Sequence, residues 1–115
     1  MSNNIYDTAN QLEKDLRETD AYVALKAAYD AVKANPEANE MFQEFQGIQV
    51  KLQQKQMSGE EILEEEIKEA QEMAMKTGEN ETIKNLMEAE QKLSLLIDDI
   101  NRIIMSPIQE LYQGQ

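Results

Sequence analysis

The amino-acid sequence predicts an all-α fold: an elongated bundle of about five helices, ending in a long C-terminal helix and dimerising through helix packing. Three observations carry that expectation. First, Ile83, Leu86, Leu93, Ile97, Ile100, Ile104 and Leu111 recur at spacings built from three and four residues, the period of a single helix face. A second row, Met87, Leu96 and Ile103, runs beside it. Second, Gly (4) and Pro (2) are scarce and aromatic residues make up only 5%, while Ala, Glu, Gln, Leu, Lys, Met and Ile dominate, so most of the chain is built from good helix formers. Third, 115 residues form one domain of ordinary size, residues 1–115, with 113–115 as a frayed tail.

The elements follow from periodicity and punctuation. In the first helix Ile5, Ala9, Leu12 and Leu16 share a face and Glu13 stands four residues before Arg17, with an end expected near 17–19. Asp20 is read as the N-cap of a second helix carrying Tyr22 or Val23, Leu25, Ala28, Tyr29 and Val32. Asn35-Pro36 starts the third, since Pro restricts the residue before it and fits a first helical turn. That helix is expected to run to about Met57, with Gly47 inside it as a sign of close approach by another element.

Ser58 with Glu61 has capping-box spacing and Gly59 breaks the preceding helix, so a turn is expected near 58–60. A fourth helix with Ile62, Leu63, Ile67, Ala70, Met73 and Ala74 would end at Thr77-Gly78. Asn80 caps the fifth, expected to stop at Ser106 before Pro107, with a short helical turn to Tyr112 beyond. From Glu81 to Ser106 this helix would be roughly 39 Å long, against a globule diameter of about 34 Å; an elongated bundle accommodates that length, while a core shared with a second copy explains both its length and its width. Glu64 with Lys68, Glu72 with Lys76, Glu88 with Lys92 and Asp98 with Arg102 have the favourable order at spacing four.

Several function classes lose ground on composition. There is no Cys and no His, so thiolate nucleophiles, cysteine-bound clusters and the usual neutral-pH general base are missing, and the chain reads as a non-enzyme with no cofactor. The formal net charge is -12; residues 1–57 hold 6 basic and 9 acidic side chains, residues 58–115 hold 5 and 14. Without a basic cluster the chain is not expected to bind nucleic acid directly or to sit on an anionic membrane. The N-terminus shows no basic region followed by an apolar core, and no apolar run approaches the ~20 residues of a membrane span, so a cytoplasmic protein is expected.

What remains are surfaces. The candidate oligomer interface comprises Phe42, Phe45, Ile48 and Leu52 on the third helix with Leu86, Glu90, Leu93, Ile97, Ile100 and Ile104 on the fifth. Glu90 occupies a seam slot, where it either pairs across an interface and selects register or reaches water where the bundle splays. Gln46, Gln49, Gln53 and Gln56 form an amide row, the candidate surface for another protein, because each side chain both donates and accepts. The acidic run Glu60, Glu61, Glu64, Glu65, Glu66, Glu69 and Glu72 reads as a solvated face near a helix N-terminus, with a carboxylate metal site as the alternative. Met57, Met73, Met87 and Met105 read as core fillers, with an adaptable binding groove as the alternative.

Met41-Phe42, Phe45, Gln49, Leu52-Gln53, Lys55-Gln56-Met57 and Gly59, followed by Met87, Glu90-Gln91, Ile97, Ile103-Ile104, Pro107 and Leu111-Tyr112, resemble the YheA-type members of the YlbF/YmcA family of small Gram-positive bacterial proteins. The resemblance spans nearly the whole chain. It implies an all-helical protein that associates with itself, and a regulatory or adaptor role. In the better-studied relatives it implies assembly with a third protein and an influence on messenger RNA processing through an endoribonuclease. Those relatives carry iron-sulfur clusters on cysteines; with none here, the resemblance implies neither a cluster nor membership of that complex.

Overall fold

The structure, a computed structural model, describes residues 4–114. Among them five helices and no strand are found: α1 (Ile5–Arg17), α2 (Asp20–Ala34), α3 (Pro36–Ser58), α4 (Glu64–Glu79) and α5 (Glu81–Gln113). The all-α expectation and the number of helices hold. Two compact units can be distinguished, a middle unit of Ala27–Met87 and a terminal unit formed by residues 4–26 and 88–114.

In the middle unit, α3 and α4 form a helical hairpin. Its antiparallel sense follows from two contacts. Lys55, near the end of α3, donates from Nζ to Glu66 Oε1 at the start of α4 at 2.6 Å. Met41, near the start of α3, lies with its sulfur 4.0 Å from the Asn80 side-chain amide just beyond α4. Asn35 caps α3 as expected, its Oδ1 accepting from the Ala38 N–H at 3.1 Å with Pro36 in the first turn. Gly59 closes the helix at φ 77°, a left-handed conformation that a side chain makes unfavourable. The Gly59 and Glu60 N–H groups both return to the Lys55 carbonyl.

The start of α4 differs from expectation. Ser58 is the last residue of α3, and its hydroxyl donates to the Lys55 carbonyl at 3.2 Å instead of opening a new helix. The chain then stays non-helical to Leu63, where Glu66 Oε1 accepts from the Leu63 N–H at 3.0 Å. The reaching-back half of a capping box is thus present five residues later than the spacing of Ser58 and Glu61 predicts. Position 63 offers no side-chain oxygen for the other half.

Side chains from four helices fill the middle unit's core: Val32 of α2, Ala38 of α3, Thr77 of α4, and Ile83 and Leu86 of α5 are all at most 1% exposed. Thr77 is tolerated there because its hydroxyl donates to the Met73 carbonyl at 2.6 Å. Asn80 caps α5 as expected, accepting from the Ile83 N–H at 3.1 Å. The close approach expected at Gly47 is absent, since a Cβ built there meets nothing within 4 Å.

In the terminal unit α1 has no buried residue, and Ala89 is the buried apolar side chain, at 7% exposure. Arg17 pairs with Glu13, as the spacing predicts. The α2 cap is Thr19 and not Asp20: Thr19 Oγ1 accepts from the Tyr22 N–H at 3.2 Å and its carbonyl from Val23, which leaves Asp20 as the first helical residue, its charge at the favourable end. Arg102 pairs with Asp99 at 3.3 Å, three residues away, in place of Asp98.

The largest departure concerns Pro107. The helix expected to stop at Ser106 continues through it to Gln113, making α5 33 residues long, roughly 50 Å. Proline removes one donor and crowds the carbonyl four residues back, here that of Ile103. Ile103 is 73% exposed, so solvent can serve that carbonyl and the helix resumes. Of the expected frayed tail, Gln113 is helical, Gly114 follows the helix, and Gln115 lies outside the described residues.

Candidate interaction surface

At about 100° per residue, Leu93, Ile97, Ile100, Ile104, Ile108 and Leu111 fall on one side of α5, in line with Ile83 and Leu86. Cover along that side is lost toward the C-terminus. Ile83 and Leu86 are sealed and Ala89 nearly so; Leu93, Leu96, Ile97 and Ile100 are half-buried. Then Ile104 (56%), Ile108 (47%) and Leu111 (72%) stand in solvent, with Ile103 (73%) of the adjoining row and Tyr112 (80%) beside them. One continuous apolar row therefore starts inside a core and ends uncovered.

Several candidate residues find different roles. Leu86, counted with the oligomer interface, is sealed within its own chain and serves the internal core. Glu90 is exposed, and Ala89 takes the covered position beside it. The two positions differ by one helical step, so spacing alone leaves both close to the seam. Phe42, Phe45, Ile48 and Leu52 are half-buried and share the side of α3 on which Met41 and Lys55 meet the α4 segment. Gln46, Gln49, Gln53 and Gln56 are all exposed. Met57 is 82% exposed and Met105 44%, so neither fills a core, whereas Met73 and Met87 are half-buried.

Among the acidic residues one is unlike the rest. Glu60, Glu61, Glu64, Glu65, Glu69 and Glu72 are exposed, but the Glu66 side chain is only 13% exposed and is held between Lys55 and Lys51, the latter at 3.8 Å. The hydrogen bond from Lys55, then that from the Leu63 N–H, holds its carboxyl below the ordinary glutamate value. Glu66 thereby links the end of α3, the connecting loop and the start of α4. Sequence reasoning placed it within a solvated run; the missed signal is that two lysines, Lys51 and Lys55, stand four apart on the preceding helix.

Two shallow grooves lie on the hairpin, one lined by Glu37, Glu40, Met41, Glu44, Met73 and Lys76, the other along α4 by Glu69, Glu72, Met73, Met75, Lys76 and Glu79. Among the described residues no group of three or more carboxylates converges as metal ligands would. No helix among them is long and apolar enough to cross a membrane.

Fold and surface together define an all-helical protein whose chemical resources are an uncovered apolar helix face and an uncharged amide face. Residues 5–109 match the family described as "Control of competence regulator ComK, YlbF/YmcA", and the chain belongs to that family. A UPF0342 protein of Lactiplantibacillus plantarum is 49% identical over 99% of this chain and 100% of its own length. A UPF0342 protein of Staphylococcus aureus is 50% identical over 97% and 98%. Among solved structures, a protein of unknown function (DUF964) from Bacillus stearothermophilus superposes with a TM-score of 0.87 at 36% identity, covering 94% of this chain and 95% of that one. The yheA protein of Bacillus subtilis does so at 0.76 and 36% identity, covering 96% and 100%.

Proposed function

We propose that this chain is a noncatalytic, cytoplasmic helical protein that pairs with a second copy of itself through the C-terminal half of α5 and acts as a regulatory or adaptor protein. The observation that carries the self-association is the uncovering of one apolar row, from Ile83 at 0% to Leu111 at 72% exposure. A row that is continuous with a sealed core has the side-chain types to complete a core with an identical row, and a two-fold pair matches like with like. The regulatory direction draws on the family description, which concerns control of a competence regulator. Absence of Cys and His supports the noncatalytic reading.

Sedimentation velocity at micromolar concentration tests the pairing. The wild-type chain is expected to sediment as at least a dimer, and Ile104→Glu, at a position already 56% exposed, to weaken that association without changing the helical circular dichroism. A folded wild-type monomer over that range would refute it. Involvement in RNA processing through a protein partner, the activity implied by the resemblance to better-studied relatives, is a narrower form of the adaptor reading. Affinity capture from the native host that repeatedly returns a ribonuclease would support it, and recovery of the chain alone would count against it.

A further inference from the structure

The five charged side chains of α3, Glu37, Glu40, Glu44, Lys51 and Lys55, all fall within a sector of roughly 60° around the helix. On another side, Gln43, Gln46, Gly47, Val50, Gln54 and Met57 form an exposed face without a single charge. In a chain that is 30% charged, an uncharged exposed strip some four turns long is unusual. Gly47 lies in the middle of it. Glycine weakens a helix interior, yet this one is fully helical, has no positive φ, and a Cβ there would meet nothing within 4 Å in its own chain. Nothing inside the molecule requires a glycine; close approach by something outside would.

We infer that this face of α3 is a second self-association site, at which it packs antiparallel against α3 of another copy. Two facts favour a second copy as occupant. The face carries no charge with which to attract an oppositely charged partner, and in a chain of net charge -12 it is the side of α3 on which two copies bring the fewest carboxylates together. Glutamine amides are self-complementary, since each donates and accepts, and an identical row satisfies them without any new chemistry. The sequence also supports a two-fold register. When two α3 helices run antiparallel about a point between Ile48 and Gln49, Val50 of one meets Gly47 of the other, and Gln43 meets Gln54. The branched side chain then enters the gap left by the missing Cβ, and an amide pair flanks it on each side.

This site is separate from the α5 row, and two different two-fold interfaces on one chain build assemblies of more than two. Sedimentation velocity over a wide concentration range, on wild type, Gly47→Glu, Gly47→Ala and Ile104→Glu, tests it, with circular dichroism and thermal melts as controls for folding. Both glycine variants are expected to keep the helical spectrum and melt no lower than wild type, because the position opens to solvent and both residues are better helix formers. The wild type should reach four chains at high concentration. Gly47→Glu should stop at two, Gly47→Ala should weaken the second step about tenfold, and Ile104→Glu should retain a two-chain species through α3.

Unchanged mass and concentration dependence in Gly47→Glu would overturn the α3 site. A wild type that stops at two chains, with Ile104→Glu monomeric, would also overturn it while leaving the α5 pairing intact. Dissociation by Gly47→Glu alone, with no effect from Ile104→Glu, would uphold α3 and remove α5.

Discussion

The middle unit and the terminal unit draw on the same amino-acid alphabet and bury it very differently. In the middle unit five side chains, from four helices, are at most 1% exposed; in the terminal unit Ala89 is buried, while Ile5, Tyr6, Ile103, Leu111 and Tyr112 are all more than 70% exposed. Apolar content does not separate them, because the α5 row runs through both at constant period. What differs is cover: in the middle unit α2, α3, α4 and the start of α5 each supply a sealed side chain to one core. The exposed row of the terminal unit awaits its cover from outside the chain, according to the proposal above.

That contrast is easiest to break at the seam itself. Leu86→Ala should destabilise the fold by about 2–5 kcal/mol, the usual loss for a sealed leucine, whereas Ile103→Ala should change the stability of the monomer by no more than about 0.5 kcal/mol. Urea denaturation of both variants at concentrations below those of association measures the difference; equal losses would mean that the two units are equally packed. Next in size is Gly59→Ala, expected to cost about 1 kcal/mol because its left-handed φ of 77° disfavours any side chain. Its effect should appear in the urea midpoint without altering the oligomeric mass, since Gly59 belongs to the α3–α4 connection and not to either proposed interface.

The smallest expected effect concerns pH. The Glu66 carboxyl titrates below its ordinary value of 4.5 in the folded chain, chiefly because of the Lys55 hydrogen bond. The unfolded state therefore binds its proton first as pH falls. The stabilisation is complete above the ordinary glutamate range and fades as pH drops through the lowered folded value. Glu66→Gln should lower the thermal midpoint modestly at pH 7 and flatten its decline below about 4.5. If wild type and variant lose stability in parallel on acidification, the latch contributes nothing to the hairpin.

Much of the architecture was legible because helix boundaries are local chemistry. Asn35-Pro36 and Asn80 cap where their side chains dictate, and Gly59 ends α3 as its freedom at positive φ allows. The misplaced helix boundaries share one source, competition between nearby signals. Thr19 and Asp20 both suit a cap, and the hydroxyl that reached the N–H two positions beyond the helix start took the role. Ser58 and Leu63 both precede a glutamate by three, and the carboxylate with lysines to hold it decided the start of α4. Pro107 has a local tendency to end a helix, which Ile108 to Gln113 override by continuing it. On the surface, the amide row was recognisable from spacing, whereas the choice between Ala89 and Glu90 was not, because both stand within one step of the seam.

From its sequence alone, then, the chain is an all-α protein with a long apolar row on its last helix and no Cys or His chemistry, since period, caps and composition act within a few residues of themselves. Tertiary structure decided which part of that row is sealed and which is open, that Glu66 is a latch rather than one more solvated carboxylate, and that Gly47 faces open space. Burial and ion pairing depend on residues far apart in the chain, and no local pattern encodes which of them will meet.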